Sequence, residues 1–184
     1  MSPTRTYVAL LRGINVGGNN VIPMAALVDT FAGAGFAGAR TYIASGNVIF
    51  ESTSRDPRAL ERTLEAALTR AHAYAATVVV RDRDHMAAIV DELPRAWREP
   101  SADSRYNVLF LRHTIDAPSV LDGLAPKRGL EQVAYRPGVL YWSARAADVP
   151  KTAMGKLSAS KIYREVTVRN LNTTLAIHER MKAK

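Results

Sequence analysis

The chain of 184 residues contains no cysteine. Disulfides, thiol catalysis and cysteine-ligated zinc are therefore excluded together, and the composition fits a reducing compartment. Long apolar runs are missing too. Tyr7 to Leu11 is stopped by Arg12 and is too short for the apolar core of a signal peptide. No stretch nears the roughly 20 apolar residues that a membrane helix needs. A cytoplasmic protein without a membrane partner is expected. Histidine is scarce: His72, His85, His113 and His178 stand far apart. His85 follows Asp82 and Asp84, but neighbours at a helix start point in different directions, so capping explains them better than a metal. No H-E-x-x-H or EF-hand spacing occurs, and no metal or cofactor is expected.

Acidic residues are in the minority, 17 against 25 Lys and Arg, for a formal charge of +8. The excess is uneven. Residues 151–184 hold eight cations against two anions, a net +6, and leave +2 for the first 150 residues. A basic end of this kind suits an anionic partner, and equally a solvated surface.

What the chain does have is alternating strand and helix patterns. Thr6 to Leu11 is apolar on both faces, as in a central strand. A glycine-rich loop follows, and a helix is expected from Pro23, with Leu27, Val28 and Phe31 as its apolar stripe and Gly33 and Gly35 at its end. Arg40–Ile43 and Asn47–Glu51 read as a hairpin around Ser45-Gly46. Arg58–Ala73 reads as a helix and Thr77–Val80 as a strand. The order is β-α-β-β-α-β, that of a ferredoxin-like unit. Asp82 or Asp84 can cap a short helix to about Leu93, and Pro94–Ser104 reads as a linker. The pattern then restarts. Val108-Leu109-Phe110-Leu111-Arg112 matches Val8-Ala9-Leu10-Leu11-Arg12 at an offset of 100. Pro118–Leu124 reads as a short helix, Gln132–Arg136 and Val139–Ser143 as a second hairpin. Ser158–Glu165 and Asn172–Met181 read as helices, the last capped by Asn172. The expected fold is α/β (α+β): two ferredoxin-like βαββαβ-type halves whose antiparallel or mixed sheets pack against helices. The first half is residues 1–81, the helix and linker 82–104, and the second half 105–184, an internal duplication with basic C-terminal helices.

The loop from Arg12 to Asn20 is the leading candidate site. Gly13, Gly17 and Gly18 let the backbone take positive φ and approach a ligand. Successive N–H groups can then make a concave anion site, with a helix N-terminus behind it. Arg12 can contact phosphate or carboxylate with two bonds, and Asn15, Asn19 and Asn20 offer neutral donors. The spacing is neither a P-loop nor a dinucleotide fingerprint. The competing reading is a plain turn with Arg12 paired to a core carboxylate. Lys156, Lys161, Arg169 and Asn170 form a second, basic candidate group. Ser45-Gly46-Asn47 lacks G-x-S-x-G and a base, and reads as a hairpin turn. On a plan that sets strands one and three side by side and parallel, this turn lies at the opposite sheet edge from the Arg12–Asn20 loop. The open face of strand three would show Asn47, Ile49 and Glu51, with Phe50 toward the helices, so the aromatic platform of RNA-recognition sheets is lacking.

Three stretches carry a resemblance: Leu10 to Gly18, Tyr42 to Val48, and Thr167 to Thr173. In this order they resemble the uncharacterised bacterial family catalogued as domain of unknown function 1697. The resemblance implies a cytoplasmic α/β protein of ferredoxin-like elements and no activity. Leu171 stands where the family pattern leads one to expect tryptophan.

The residues assign no catalytic group and leave open whether the protein is an enzyme. The leading reading is a binder of a phosphorylated or other anionic small molecule at the Arg12–Asn20 loop. Next come a protein-interaction module, including a homodimer, and then a nucleic-acid-binding module using the basic segment, with the steep salt dependence that implies.

Overall fold

In the computed structural model, which describes residues 3–15 and 20–182, β1 (Arg5–Leu11) lies inside a four-stranded sheet. Tyr7 through Leu11 are all buried, so both its faces are covered. After the loop comes α1 (Met24–Gly33), with Pro23 as its N-cap rather than its first residue. Gly35, at φ +93°, turns the chain away from the helix end. The hairpin is β2 (Arg40–Tyr42) and β3 (Asn47–Ser52). Then follow α2 (Pro57–His72), capped by the Asp56 side chain, and β4 (Val78–Asp82). The sheet order is β2-β3-β1-β4 and every pair is antiparallel. This is the ferredoxin-like arrangement.

That arrangement corrects two expectations. β1 and β3 are neighbours but antiparallel, Arg5 opposite Ser52 and Leu10 opposite Asn47. Each β-α-β crossover returns its strand parallel to the one it left, with one strand inserted between, and the inserted strand runs the other way. The end of β1 therefore meets the start of β3, and the Ser45-Gly46 turn sits beside the Arg12–Asn20 loop. Asn47 and Ile49, expected on an open face, are buried. Phe50 does point to the helices, packed with Phe31 and Phe36. The core on that side gathers Tyr7, Leu11, Leu27, Phe31, Leu64 and Val80.

β4 is an edge strand, and edge amides need partners. Two carboxylates from α2 supply them. Glu61 Oε1 accepts from Val80 N at 2.9 Å and Glu65 Oε1 from Val78 N at 2.9 Å. Glu61 is only 3% exposed.

The second sheet repeats the order: β5 (Ser104–Leu111), β6 (Glu131–Arg136), β7 (Val139–Arg145) and β8 (Val166–Asn170) lie as β6-β7-β5-β8, all antiparallel. α3 (Arg83–Asp91) joins the two sheets in sequence, with Asp82 Oδ1 accepting from His85 N at 2.7 Å. The stretch 94–104 is more than a linker. It holds a 3-10 turn, Arg95–Arg98, whose Trp97 is buried edge-on to Tyr106 and Tyr141. α4 (Val120–Leu124) is short. The helix expected over Ser158–Glu165 is replaced by 3-10 pieces, Met154–Ala159 and Tyr163–Glu165. Ser160 bonds the Leu157 carbonyl at 2.8 Å, the competition with helical bonding that short polar side chains offer. α5 (Leu171–Lys182) closes the described chain. Its cap is Asn170, whose Oδ1 accepts from Thr173 N at 2.8 Å, and not Asn172.

By contacts the chain forms two units: residues up to Ala88 with those from Ala176, and Ile89–Leu175. Internally they follow one bonding frame. Leu11 N donates to Gly46 O, and Leu111 N to Gly138 O. Arg12 N donates to Thr77 O, and Arg112 N to Glu165 O. Val8 faces Arg81, as Val108 faces Arg169. Both of these arginines are buried, and each donates Nη1 to the carbonyl just before it, at 2.9 and 2.8 Å. Among the described residues no helix is long and apolar enough to cross a membrane.

Candidate functional site

The site is built where β1 ends. Gly13 takes φ +71°, and Asn15 and Asn20 take φ +53° and +47°, which asparagine tolerates better than other side chains. Asn20 Nδ2 donates to Gly13 O at 2.9 Å, and Asn15 N to Asn20 O at 3.2 Å, so the two ends of the loop are tied together. Gly17, Gly18 and Asn19 lie outside the described residues.

Asn15 is a three-way clip. Its Nδ2 donates to Ile22 O at 3.0 Å and to Ala44 O at 2.9 Å, and its Oδ1 accepts from Ile22 N at 2.8 Å. The loop, the approach to α1 and the β2–β3 turn are thereby joined at one amide group. Gly46 completes the join. It sits at φ +78°, and a Cβ there would come within 2.8 Å of Ile14. The side-chain amides of Asn15 and Asn20, expected to face a ligand, thus donate to backbone carbonyls, those of Ile22, Ala44 and Gly13.

Beside the clip is an open groove of about 430 Å³, lined by Asn15, Val21, Ile22, Pro23, Met24 and Ala44. Val21 is 70% exposed. Next to Ala44, Ile43 is 47% exposed and holds φ +49°. A β-branched residue in that region is strained, and strain of this kind gathers at binding sites. The groove also meets the start of α1. Pro23 supplies no side-chain cap, and the first turn holds no acidic residue. The amide dipoles at that end therefore present their positive field without a carboxylate of the helix to offset it.

The other predicted residues fall elsewhere. Arg12 is half-buried at the base of the loop. Its counterpart Arg112 lies 3.7 Å from Glu165, whose place in the first unit is taken by Thr77. Arg169 is buried, and desolvation lowers its guanidinium pKa to about 10. It is a core residue of the second unit rather than a surface cation. Asn170 is exposed at the start of α5, and Lys156 and Lys161 are exposed on the 3-10 segments. Ser45 accepts from Asn47 Nδ2 at 3.2 Å. Among the described residues no cluster of His, Asp and Glu could hold a metal. The groove residues Val21 and Met24, and the neighbouring Ile43, escaped sequence reasoning. A lone valine or isoleucine in or beside a loop carries no signal until its exposure is seen.

Fold and site define an α+β protein of two ferredoxin-like halves, with a glycine-rich loop closed on a hairpin turn. The chain belongs to the family described as Protein of unknown function (DUF1697), whose model matches residues 4–141. It is similar to the conserved bacterial protein SP0830 from Streptococcus pneumoniae, at 26% identity and a TM-score of 0.84 over 97% of this chain and 99% of that one. An unknown protein from Galdieria sulphuraria aligns over 98% and 92% of the two chains at 11% identity, but its TM-score of 0.28 carries no argument. No curated protein matches the chain.

Proposed function

We propose that the protein binds a small molecule with an anionic group and an apolar portion in the groove beside the Asn15 clip. The observation that carries the reading is the groove itself. It offers apolar side chains, the exposed Val21 and the half-buried Met24, beside a helix start that no carboxylate of its own neutralises. An anion there gains from the helix field and from backbone N–H groups, while a chain of carbons covers Val21. Arg12 stands at the base of the same loop and adds positive charge. Ile43, the chain neighbour of the groove's Ala44, is exposed, and its strain supports a binding role for that side chain.

Thermal denaturation with inorganic phosphate and with octyl phosphate tests this. Octyl phosphate should stabilise more than phosphate, because only it reaches both parts of the groove. A ligand at 100 times its Kd adds about 2.7 kcal/mol. Val21→Ser should remove the advantage of the octyl chain. If neither compound shifts the melting temperature, the reading fails.

A second reading is favoured by the same exposed Val21 and Ile43: docking of another protein or a second copy at this rim. Sedimentation at rising concentration decides its self-association form. A single monomeric species at all concentrations would remove that form. Lys156 and Lys161 are exposed, which keeps nucleic acid as the third reading, with loss of binding at higher salt as its signature.

A further inference from the structure

The shared frame of the two units makes one difference between them informative. In the first unit, Tyr7 pairs with Asp82, and Arg5, two residues earlier on the strand, lies 3.9 Å from the Asp82 carboxylate. A small cavity of about 130 Å³ there is lined by both residues together with Arg83 and Asp84. Its charges balance. In the second unit Asn107 pairs with Asn170, and Arg105 stands two residues earlier. Asn170 caps its helix as Asp82 does, through a bond to the amide three residues on. The carboxylate, however, has become an amide. Asn172 likewise stands where the first unit has Asp84, two residues into the helix.

The cavity at this place is larger, about 340 Å³, and is lined by Ser101, Arg105, Tyr106, Asn107, Asn170 and Asn172 among others. Among the described residues no acidic side chain lines it. Among the described residues the Arg105 guanidinium bonds the carbonyls of Ala102 and Ser104, at 3.5 and 3.2 Å, and the first turn of α5 contains no acid. Asn170 has its Oδ1 committed to the cap, so its Nδ2 is the group left to donate. Arg105 and the amides of Asn107, Asn170 and Asn172 thus surround one space with donors and positive charge.

We propose that this cavity is a phosphate-binding site, formed where the internal carboxylates of the first unit are replaced by amides. The bound group takes the place that the Asp82 carboxylate holds against Arg5. Arg105 supplies the charge-assisted contact and the three asparagines supply neutral donors. The proposal stands apart from the groove at Val21.

The test uses the full-length protein labelled with nitrogen-15 and titrated with inorganic phosphate at constant ionic strength. Saturable shifts are expected in the side-chain amides of Asn107, Asn170 and Asn172 and in the backbone amide of Thr173. Asn170→Asp restores the carboxylate while keeping the cap, since aspartate caps as well as asparagine. It should weaken phosphate at least tenfold and leave the melting temperature unchanged. Arg105→Ala should weaken it to a similar degree. The same shifts should persist in Val21→Ser, which separates this site from the groove. Absence of saturable shifts at these amides, or equal phosphate affinity in Asn170→Asp, overturns the proposal.

Discussion

The Asn15 clip predicts the outcome of a substitution that changes almost nothing in size. Asn15→Asp keeps the volume and a residue type that accepts φ +53°. What it removes is the pair of bonds from Nδ2 to Ile22 O and Ala44 O. Each such bond contributes about 1 kcal/mol, and two carbonyls left facing an acceptor add a further penalty of about 1 kcal/mol. The total is about 2–4 kcal/mol at neutral pH. For a chain of this size that lowers the melting temperature by roughly 5–15 °C. The sign of the pH dependence follows from the same geometry. Two carbonyl oxygens favour the protonated carboxyl, so its folded pKa rises above the unfolded value. The variant should be nearest to wild type below the unfolded carboxyl pKa and should lose stability as pH rises through the folded one. Denaturation curves of both proteins across pH 3–7 measure this. A deficit that is negligible at neutral pH, or one that does not grow with pH, would falsify the assignment of the clip.

Three further outcomes are expected. Ile43→Asn relieves a strained backbone and should stabilise by about 1 kcal/mol, read as a rise in denaturation midpoint, while weakening octyl phosphate; a loss of stability refutes the strain. Glu61→Ala leaves the Val80 amide buried without its acceptor and should destabilise by about 2–3 kcal/mol in urea, whereas Glu61→Gln keeps the acceptor and should cost under about 1 kcal/mol. Among the described residues the Tyr74 hydroxyl meets no hydrogen-bond partner, and burial raises its pKa to about 12. Its contribution is intact below pH 10 and is lost as pH rises toward 12, so Tyr74→Phe should match wild type at pH 7 and resist alkaline unfolding better. Equal alkaline midpoints in the two proteins would count against the burial of that hydroxyl.

Much of the fold was legible because it rests on local pattern. The two-faced apolar run at Tyr7–Leu11, the 3.6-residue spacing of Leu60, Leu64 and Leu68, and the repeat of Val8–Arg12 at Val108–Arg112 each report burial directly. Glycine at 13, 35 and 46 marked turns that take positive φ. Where patterns were short and polar the reading slipped. Ser158–Glu165 folded as 3-10 turns, and Asn170 rather than Asn172 caps α5 because the strand ends one residue before the helix begins. The largest slip concerned direction. Nothing along the chain says whether neighbouring strands run the same way, and a parallel assignment had kept the Ser45-Gly46 turn away from the Arg12–Asn20 loop.

The order of residues alone determined most of the strands and the longer helices, that the pattern occurs twice, and where glycine and positive charge are concentrated. These are properties of near neighbours. Tertiary structure decided which of those segments meet. Antiparallel pairing of β1 with β3 brought two glycine turns onto one asparagine, turned Asn15 from a ligand donor into a clip, and left Val21 and Ile43 outside, while in the second sheet the pairing of β8 with β5 goes with a buried Arg169. The reason is physical: burial and hydrogen-bond partners are set by residues distant in sequence, whose proximity no local pattern encodes.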